Sequence, residues 1–278
     1  MNLYDQTCLE CSRLITNKYS TSFSLGIKAF DRKFQLPIYA IYGFVRYADE
    51  IVDTFEQGDK EILLASFRAD TFKAIEDKIS LNPVLQSFQL IVNQYGIDKI
   101  LIEAFLESMK MDLYKFDYVE ETYQKYIYGS AEVVGLMCLR IFCTNDTERY
   151  NQLTPTARKL GSAFQKINFL RDIKSDFADR GRTYFPGLNV LSFNDVVKKE
   201  IEKDIKADFD SSIIGIRKLP DGCRLGVYVA YRYYLRLFEE IKKTPAAEIM
   251  EKRIRVADST KLLLFAQAIV KNKLNALT

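Results

Sequence analysis

The chain has 278 residues, of which 48% are hydrophobic and 28% are charged, with a net charge of +3 and no histidine. This composition is that of a globular protein with a large core, and the charge is too small to predict nucleic-acid binding. The absence of histidine excludes Ser-His-Asp triads, Cys-His pairs and zinc sites with imidazole ligands. Any metal or acid–base chemistry therefore has to use other side chains.

Helical periodicity dominates, and about ten helices are predicted, near residues 3–18, 34–56, 60–80, 83–95, 98–116, 120–143, 155–178, 194–217, 221–242 and 245–276. A capping residue precedes a proline at Asn82-Pro83, Thr154-Pro155 and Thr244-Pro245, which predicts a helix start at each. No alternating strand pattern, linker or fixed repeat is present. We therefore expect an all-α bundle in one domain, residues 1–278, whose long helices enclose a deep central cavity.

One amphipathic face is predicted for the helix at 60–80, formed by Ile62, Leu63, Phe67, Thr71, Ile75 and Ile79. The pair Cys8 and Cys11 has no second ligand pair, so we interpret it as two small apolar residues rather than a zinc site. Reduced cysteines are typical of the cytoplasm, and a cytoplasmic protein is expected. The first residues contain no apolar stretch that predicts a signal peptide, and no apolar run reaches the ~20 residues of a membrane span.

The first chemical motif is the run Arg46-Tyr47-Ala48-Asp49-Glu50-Ile51-Val52-Asp53. Asp49 and Asp53 are four residues apart, which places both carboxylates on one helix face, ~6 Å apart along the axis. Arg46 and, one turn earlier, Tyr42 lie on the same side. Because the flanking residues are aromatic and aliphatic, we expect a buried helix, in which two carboxylates require a cation.

The second motif lies in the helix predicted at 155–178, where Asp172 and Asp176 repeat the four-residue spacing. Gln165 and Asn168 precede Asp172 by seven and four residues, so one face carries two amides and two carboxylates. Such oxygen ligands suit Mg²⁺, which keeps several waters beside substrate phosphates. One such motif alone is more often a structural salt-bridge face, but two in one aromatic-rich chain predict a magnesium–diphosphate site.

Two carboxylate pairs with magnesium fit a reaction in which a diphosphate leaves an allylic carbon and a carbocation forms. The metal charge stabilises the leaving anion, and aromatic faces stabilise the cation. No histidine base is needed, because the departing diphosphate or a tyrosine can take the proton. Arg180 and Arg182, which follow the helix, are further candidates for binding a diphosphate.

These residues resemble the squalene/phytoene synthase family, in particular its bacterial phytoene synthases. The resemblance covers nearly the whole chain and rests on Ser20-Thr21-Ser22-Phe23, Arg46 to Asp53, Tyr126 to Met137 and Gln165 to Pro186. It implies the all-α isoprenoid-synthase fold and head-to-head (1′–1) condensation of two prenyl diphosphates through a cyclopropyl diphosphate. It further implies that two geranylgeranyl diphosphates give phytoene, with Mg²⁺ (or Mn²⁺ in its place) as cofactor and without NADPH.

The resemblance also implies roles for individual residues. Asp49, Asp53, Asp172 and Asp176 match the catalytic acids that hold metal and diphosphate, Asn168 joins the metal ligands, and Tyr128 is a further catalytic residue. The positions that match the family's substrate contacts are Ser20, Ser22, Phe23, Tyr42, Arg46, Gln165, Asn168, Arg171 and Tyr234.

The chain departs from the family pattern at two places. Glu50 stands where a second aspartate is usual, and we expect it to be peripheral. Asp258-Ser259-Thr260 stands where relatives often carry basic residues, so phosphate contacts there are in doubt and Arg253, Arg255 and Lys261 receive no assigned role.

Two alternatives stay open. Farnesyl diphosphate can be the substrate instead, giving squalene, dehydrosqualene or hydroxysqualene, because the sequence does not locate the residues that set chain length. A non-enzymatic helical protein, such as an inactive partner subunit of a condensing complex, is the other. Since the substrates and product are long hydrocarbons, we expect peripheral contact with the inner face of the membrane; the oligomeric state is not predicted.

Overall fold

The computed structural model describes residues 1–114, 118–188 and 193–273, which contain no strand and confirm the all-α class. The α-helices are α1 (Leu3–Tyr19), α2 (Thr21–Lys28), α3 (Arg32–Asp53), α4 (Lys60–Asp77), α5 (Pro83–Tyr95), α6 (Lys99–Met111), α7 (Glu120–Ile127), α8 (Val133–Phe142), α9 (Thr147–Arg180), α10 (Asp195–Lys218), α11 (Arg224–Lys243), α12 (Ala246–Ile249) and α13 (Asp258–Lys273). A π-helical turn, Tyr128–Glu132, joins α7 to α8. None of these helices is long and apolar enough to cross a membrane.

Several helix ends follow the capping signals in the sequence. The side chain of Asn82 accepts a hydrogen bond from the backbone N–H of Val84 at 3.0 Å, directly before Pro83 at the start of α5. Gly96 ends α5 in the left-handed region (φ +61°), where a side chain would be strained, and Asp98 caps α6. Both predicted ends of α5 and the predicted start of α6 are confirmed, but α6 ends at Met111 and not at residue 116.

Three other differences from the predicted helices are a missed helix, an earlier helix start and a predicted helix that is divided in two. Helix α2 was missed because its eight residues are too few for a periodic pattern; Ser20 caps it by accepting from the N–H of Phe23 at 3.1 Å. Helix α9 begins at Thr147, capped by Asp146, so Pro155 lies inside the helix and not at its start. The predicted helix at 245–276 is two helices, α12 and α13, and its last residues, 274–276, lie outside the described part of the chain.

The buried face of α3 is fixed by aromatic packing around Phe44. The Phe44 ring stacks on Phe88 of α5 at 3.8 Å and lies 5.5 Å from both Phe67 of α4 and Phe105 of α6. These rings bury large apolar areas and prefer defined mutual geometries, so they set the rotation of α3 about its own axis. At 100° per residue, Asp53 points away from Phe44, which directs the acidic face of α3 to the other side of the helix.

The π-helical turn fits closely between α6 and α9 at two glycines. A Cβ on Gly129 would lie 2.4 Å from the carbonyl oxygen of Ala104, and one on Gly161 of α9 would lie 2.9 Å from that of Ala131. A side chain at either position would therefore collide with backbone of the neighbouring helix. At Gly135 the nearest atom would be 3.5 Å away, which is an ordinary contact.

Candidate active site

A cavity of about 560 Å³ lies between α3 and α9, with further walls from α2, α8, α10 and α11. Its lining runs from Ile38 to Asp53 along α3 and from Leu153 to Asp176 along α9, so both helices pass from apolar to acidic residues. The cavity therefore has an acidic end and an apolar end. All four predicted acids line it, as do the predicted Ser20, Phe23, Tyr42, Arg46, Gln165, Asn168, Arg171 and Tyr234.

Asp49 is the acid whose ionisation is most affected by its surroundings. Burial raises the pKa of Asp49 to about 7, Arg46 opposes this rise, and the nearby carboxylates of Asp53, Asp112 and Glu50 add to it. Although 31% of the side-chain surface of Asp49 is exposed, that surface faces a cavity lined by protein, so solvation is incomplete. A cation bound beside Asp49 would favour its ionised form.

Asp112, at the end of α6, is a fifth acid of the site, and no pattern in the sequence indicated it. Its carboxylate accepts hydrogen bonds from Tyr126 at 2.8 Å and Tyr184 at 3.1 Å. Arg182 donates to Asp53 at 3.0 Å and to the backbone carbonyl of Asp112 at 2.7 Å. Burial raises the pKa of Asp112 to about 6, with Arg182 opposing the rise. The predicted candidate Arg182 thus links the two acids; the side chain of Arg180 lies outside the described residues.

On α9, Asp172 is held by two arginines. Arg171 forms an ion pair with the carboxylate of its neighbour Asp172, and Arg253 approaches the same carboxylate with Nε at 2.7 Å. Arg253, which had no assigned role, comes from the segment between α12 and α13. Asp176, one turn further on, is 6% exposed and lines the same cavity.

Aromatic side chains lie beside the acidic end. The rings of Phe23 and Tyr42 are 4.8 Å apart, and Tyr234 stacks on Phe164 at 3.9 Å. The Tyr234 hydroxyl donates to the Asn168 side-chain oxygen at 3.5 Å, a long contact. Burial raises the pKa of Tyr42 to about 12, so this phenol stays protonated at neutral pH.

Two predicted residues do not line the cavity. Ser22 is half-buried on α2, and Tyr128 is half-buried in the π-helical turn, where its ring lies 5.1 Å from the Arg158 guanidinium carbon. Arg158 in turn pairs with the buried Glu132 at 2.5 Å. The substrate role of Ser22 and the catalytic role of Tyr128 stay predictions. Glu50 forms an ion pair with Arg46 and is not part of the lining, as expected for a peripheral residue.

The acidic end fits a divalent cation bound together with a diphosphate. Across residues 1–114, 118–188 and 193–273, no three acidic or thiol side chains are grouped so that they hold an ion by themselves. Magnesium is typically bound by one or two carboxylates and completes its octahedron with waters and phosphate oxygens. The carboxylates of α3 and the carboxylates and amides of α9 supply hard oxygen donors from two walls of one cavity.

A model of squalene/phytoene synthase matches residues 16–260. The chain belongs to the squalene/phytoene synthase family. Members of this family are prenyltransferases that condense prenyl diphosphates, which confirms the predicted family and enzyme class. The match therefore extends beyond the four sequence segments that carry the resemblance, from the end of α1 to the start of α13.

Individual relatives are distant. The chain is 28% identical over 283 residues to phytoene synthase 1 of Solanum lycopersicum, covering 92% of this chain and 66% of that protein. It is 27% identical over 290 residues to 15-cis-phytoene synthase of Synechococcus elongatus, covering 94% and 92%. The crystal structure of a dehydrosqualene synthase in complex with a ligand superposes with a TM-score of 0.80 at 22% identity, covering 97% and 98%, and shares the fold. The chain spans about two thirds of the tomato relative's length.

Proposed function

We propose that this protein condenses two geranylgeranyl diphosphates head to head (1′–1), through a cyclopropyl diphosphate, to give phytoene. The observation that carries the proposal is the placement of two acidic pairs, from α3 and α9, at one end of a cavity whose other end is lined mainly by apolar residues. A diphosphate head at the acidic end leaves the prenyl chains in contact with apolar walls. Two of the phytoene synthases to which the chain is similar, from tomato and Synechococcus, support the C20 substrate.

The metal site follows from the same placement. Asp49 and Asp53 on α3, with Asn168, Asp172 and Asp176 on α9, would hold Mg²⁺. When bound, magnesium supplies positive charge that stabilises the leaving diphosphate. The protein's own part is to fix the direction from which the diphosphate leaves, because the backbones of α3 and α9 are held by core packing.

The arginines around the acids are the direct contacts to phosphate in this proposal. Arg46, Arg171, Arg182 and Arg253 all line the cavity and all pair with acidic side chains in the free protein. A guanidinium binds phosphate through a planar fork of donors, so turning from carboxylate to phosphate keeps each arginine paired. The reacting carbons then lie next to Phe23, Tyr42 and Tyr234, whose ring faces stabilise positive charge.

Farnesyl diphosphate is the alternative substrate, and the similarity in fold to a dehydrosqualene synthase is compatible with it. The apolar lining includes Phe30 and Phe142, whose rings are 5.2 Å apart, together with Leu153 and Leu219. The space in front of these side chains decides which chain length fits. Because both substrates and products are hydrocarbons, the proposal includes contact with a membrane surface.

The test is product analysis by mass spectrometry from a mixture of C15 and C20 prenyl diphosphates with Mg²⁺. Phytoene formation, lost in Asp172→Asn and kept in the exposed α4 variant Asp70→Asn, supports the proposal. A C30 product would show that farnesyl diphosphate, and not the C20 diphosphate, is the substrate. A folded protein that turns over neither substrate would instead support the inactive-subunit alternative.

A further inference from the structure

The outer face of the C-terminal helix α13 is apolar. Leu262, Leu263 and Val270 are 59%, 57% and 55% exposed, and Ala266 between them is also exposed. At 100° per residue these four side chains form one stripe on the solvent side. The opposite side of the helix is apolar as well and packs on the protein through buried residues such as Ala268. A helix that is apolar on both faces is typical of one that is covered on both.

The charge around this stripe is positive. Residues 252–271 contain five basic residues and one acidic residue. Lys252, Arg253 and Lys261 form ion pairs with acidic side chains, whereas Arg255 and Lys271 are exposed. Exposed leucines flanked by lysine and arginine are typical of helices that lie in the interface of an anionic bilayer. This complementarity favours a membrane over a second, equally basic copy of the chain as the covering surface.

A second exposed apolar cluster provides a comparison within the molecule. Leu3, Ile79 and Leu81 are 80%, 59% and 93% exposed and lie together, because Tyr4 of α1 hydrogen-bonds the carbonyl of Ser80. Its neighbours in the sequence are three acidic residues and one basic residue, Asp5, Glu76, Asp77 and Lys78. This cluster is more exposed than α13 but acidic, so an anionic surface would repel it.

Helix α13 also lies close to the acidic end of the cavity. Arg253, five residues before the helix, contacts Asp172, and the ammonium group of Lys261 lies 5.7 Å from the ring of Tyr233. The neighbouring Tyr234 lines the cavity. A prenyl diphosphate in a bilayer keeps its head at the interface and its chain in the lipid. A protein resting on α13 would therefore have its diphosphate site near the level of those heads.

We propose that the Leu262–Leu263–Ala266–Val270 stripe of α13, with Arg255 and Lys271, docks the protein on an anionic lipid bilayer. The inference rests on the proposed function only for the reason why a membrane is useful, namely that the substrates and product are hydrocarbons. The docking itself is a property of the surface and can be measured without turnover.

The protein contains no tryptophan, so one introduced tryptophan is a unique reporter. In Leu263→Trp, we expect a blue-shifted emission and reduced acrylamide quenching when vesicles of phosphatidylcholine and phosphatidylglycerol are added. The matched variant Leu81→Trp, at the acidic apolar cluster, should show neither change. Absence of a shift in Leu263→Trp, or an equal shift in Leu81→Trp, would overturn the proposal.

A partition experiment tests the stripe by removal. In sedimentation with the same vesicles, the affinity of Leu262→Ser/Leu263→Ser should be lower than that of the wild type by about tenfold or more. The control Ile79→Ser/Leu81→Ser should bind like the wild type. Both leucines are exposed, so the variant is expected to fold, and turnover in detergent micelles verifies an intact site. If the wild type ignores vesicles but is a dimer that this variant dissociates, the stripe is a contact between copies and the proposal fails. Vesicle binding without any turnover would contradict the proposed function and leave the docking surface standing.

Discussion

Arg182 links two acids of the site, and we expect its removal in Arg182→Met to destabilise the fold. The side chains of Arg182 and Asp112 are 10% and 5% exposed, and the guanidinium also contacts Asp53 at 3.0 Å. Removing one partner of a buried ion pair costs about 3–5 kcal/mol. Because Asp53 keeps 22% of its side-chain surface exposed, we take the lower end. About 3 kcal/mol corresponds to a melting temperature lower by roughly 6–12 °C for a chain of this size.

The effect of Arg182→Met should depend on pH. Burial already raises the pKa of Asp112 to about 6, and Arg182 opposes that rise, so the variant's pKa is higher still. A carboxyl group whose folded-state pKa exceeds its unfolded value makes the fold less stable as pH rises through that range. The stability deficit of the variant is therefore largest near pH 8 and shrinks as the pH falls toward about 6, below which Asp112 is protonated in both proteins and needs no cation.

The assay is urea unfolding at pH 8 and pH 5.5 for the wild type, Arg182→Met, Asp112→Asn and the double variant. The double variant should recover about 1 kcal/mol or more relative to additivity, since it no longer buries the Asp112 charge. Arg68→Met is the matched control: Arg68 pairs with Glu103 through two nitrogens but is 49% exposed, so its loss should cost less than about 1 kcal/mol. An equal cost for Arg182→Met and Arg68→Met, or no recovery in the double variant, would refute the reasoning.

Three further outcomes are expected. At pH 6, where Asp49 with a pKa of about 7 is largely protonated, binding of Mg²⁺ with pyrophosphate should release more protons in the wild type than in Asp49→Asn; the difference should vanish at pH 8.5, and calorimetry in buffers of different ionisation enthalpy measures it. Gly161→Ala should destabilise by about 1–3 kcal/mol because its Cβ meets backbone at 2.9 Å, whereas Gly135→Ala, with 3.5 Å of room, should be neutral or stabilising in thermal unfolding. Phe142→Ala should shift the preferred substrate toward longer prenyl chains in competition assays, because it enlarges the apolar end of the cavity; an unchanged C15/C20 ratio contradicts that role.

The acids of α3 and α9 could be predicted from the sequence because their relation is local. A spacing of four residues puts two side chains on one helix face whatever the tertiary structure, and the surrounding aromatic residues predicted burial. That the pairs Asp49–Asp53 and Asp172–Asp176 share one cavity followed from the chemistry they suggested and from the family resemblance. The structure shows in addition that α3 and α9 both carry their acids near their C-terminal ends, so these ends lie at the same end of the cavity.

Residues that act through tertiary contact carried no such signal. Asp112, Tyr126 and Tyr184 come from α6, α7 and the segment after α9, and nothing in their spacing connects them. Their hydrogen bonds form where α7 and the segment after α9 reach the end of α6, which is a tertiary arrangement. An isolated aspartate after Met111 looks like any helix-terminating residue.

The predicted face of α4 shows a different limit. Phe67, Thr71 and Ile75 are buried as predicted, but Ile62 is 66% exposed and Ile79 is 59% exposed. The helix ends at Asp77, and Lys78 adopts a left-handed conformation (φ 57°), so Ile79 leaves the face. Periodicity correctly predicted which side of the central turns of α4 is buried. It did not predict the burial of the residues at the two ends of the helix, which depends on where the chain leaves the helix.

The charge balance of the cavity favours the binding of a metal together with a diphosphate over the binding of either alone. Among the described lining residues, five aspartates face four arginines: Asp49, Asp53, Asp112, Asp172, Asp176, Arg46, Arg171, Arg182 and Arg253. A diphosphate alone would add negative charge to a partly desolvated acidic site, and a divalent cation alone would compete with the arginines for the carboxylates. A metal–diphosphate pair brings both charges at once, so each carboxylate can exchange an arginine for a metal while that arginine takes a phosphate oxygen. The near-neutral set of side chains thus selects a ligand that is itself nearly neutral and carries its own long apolar chain.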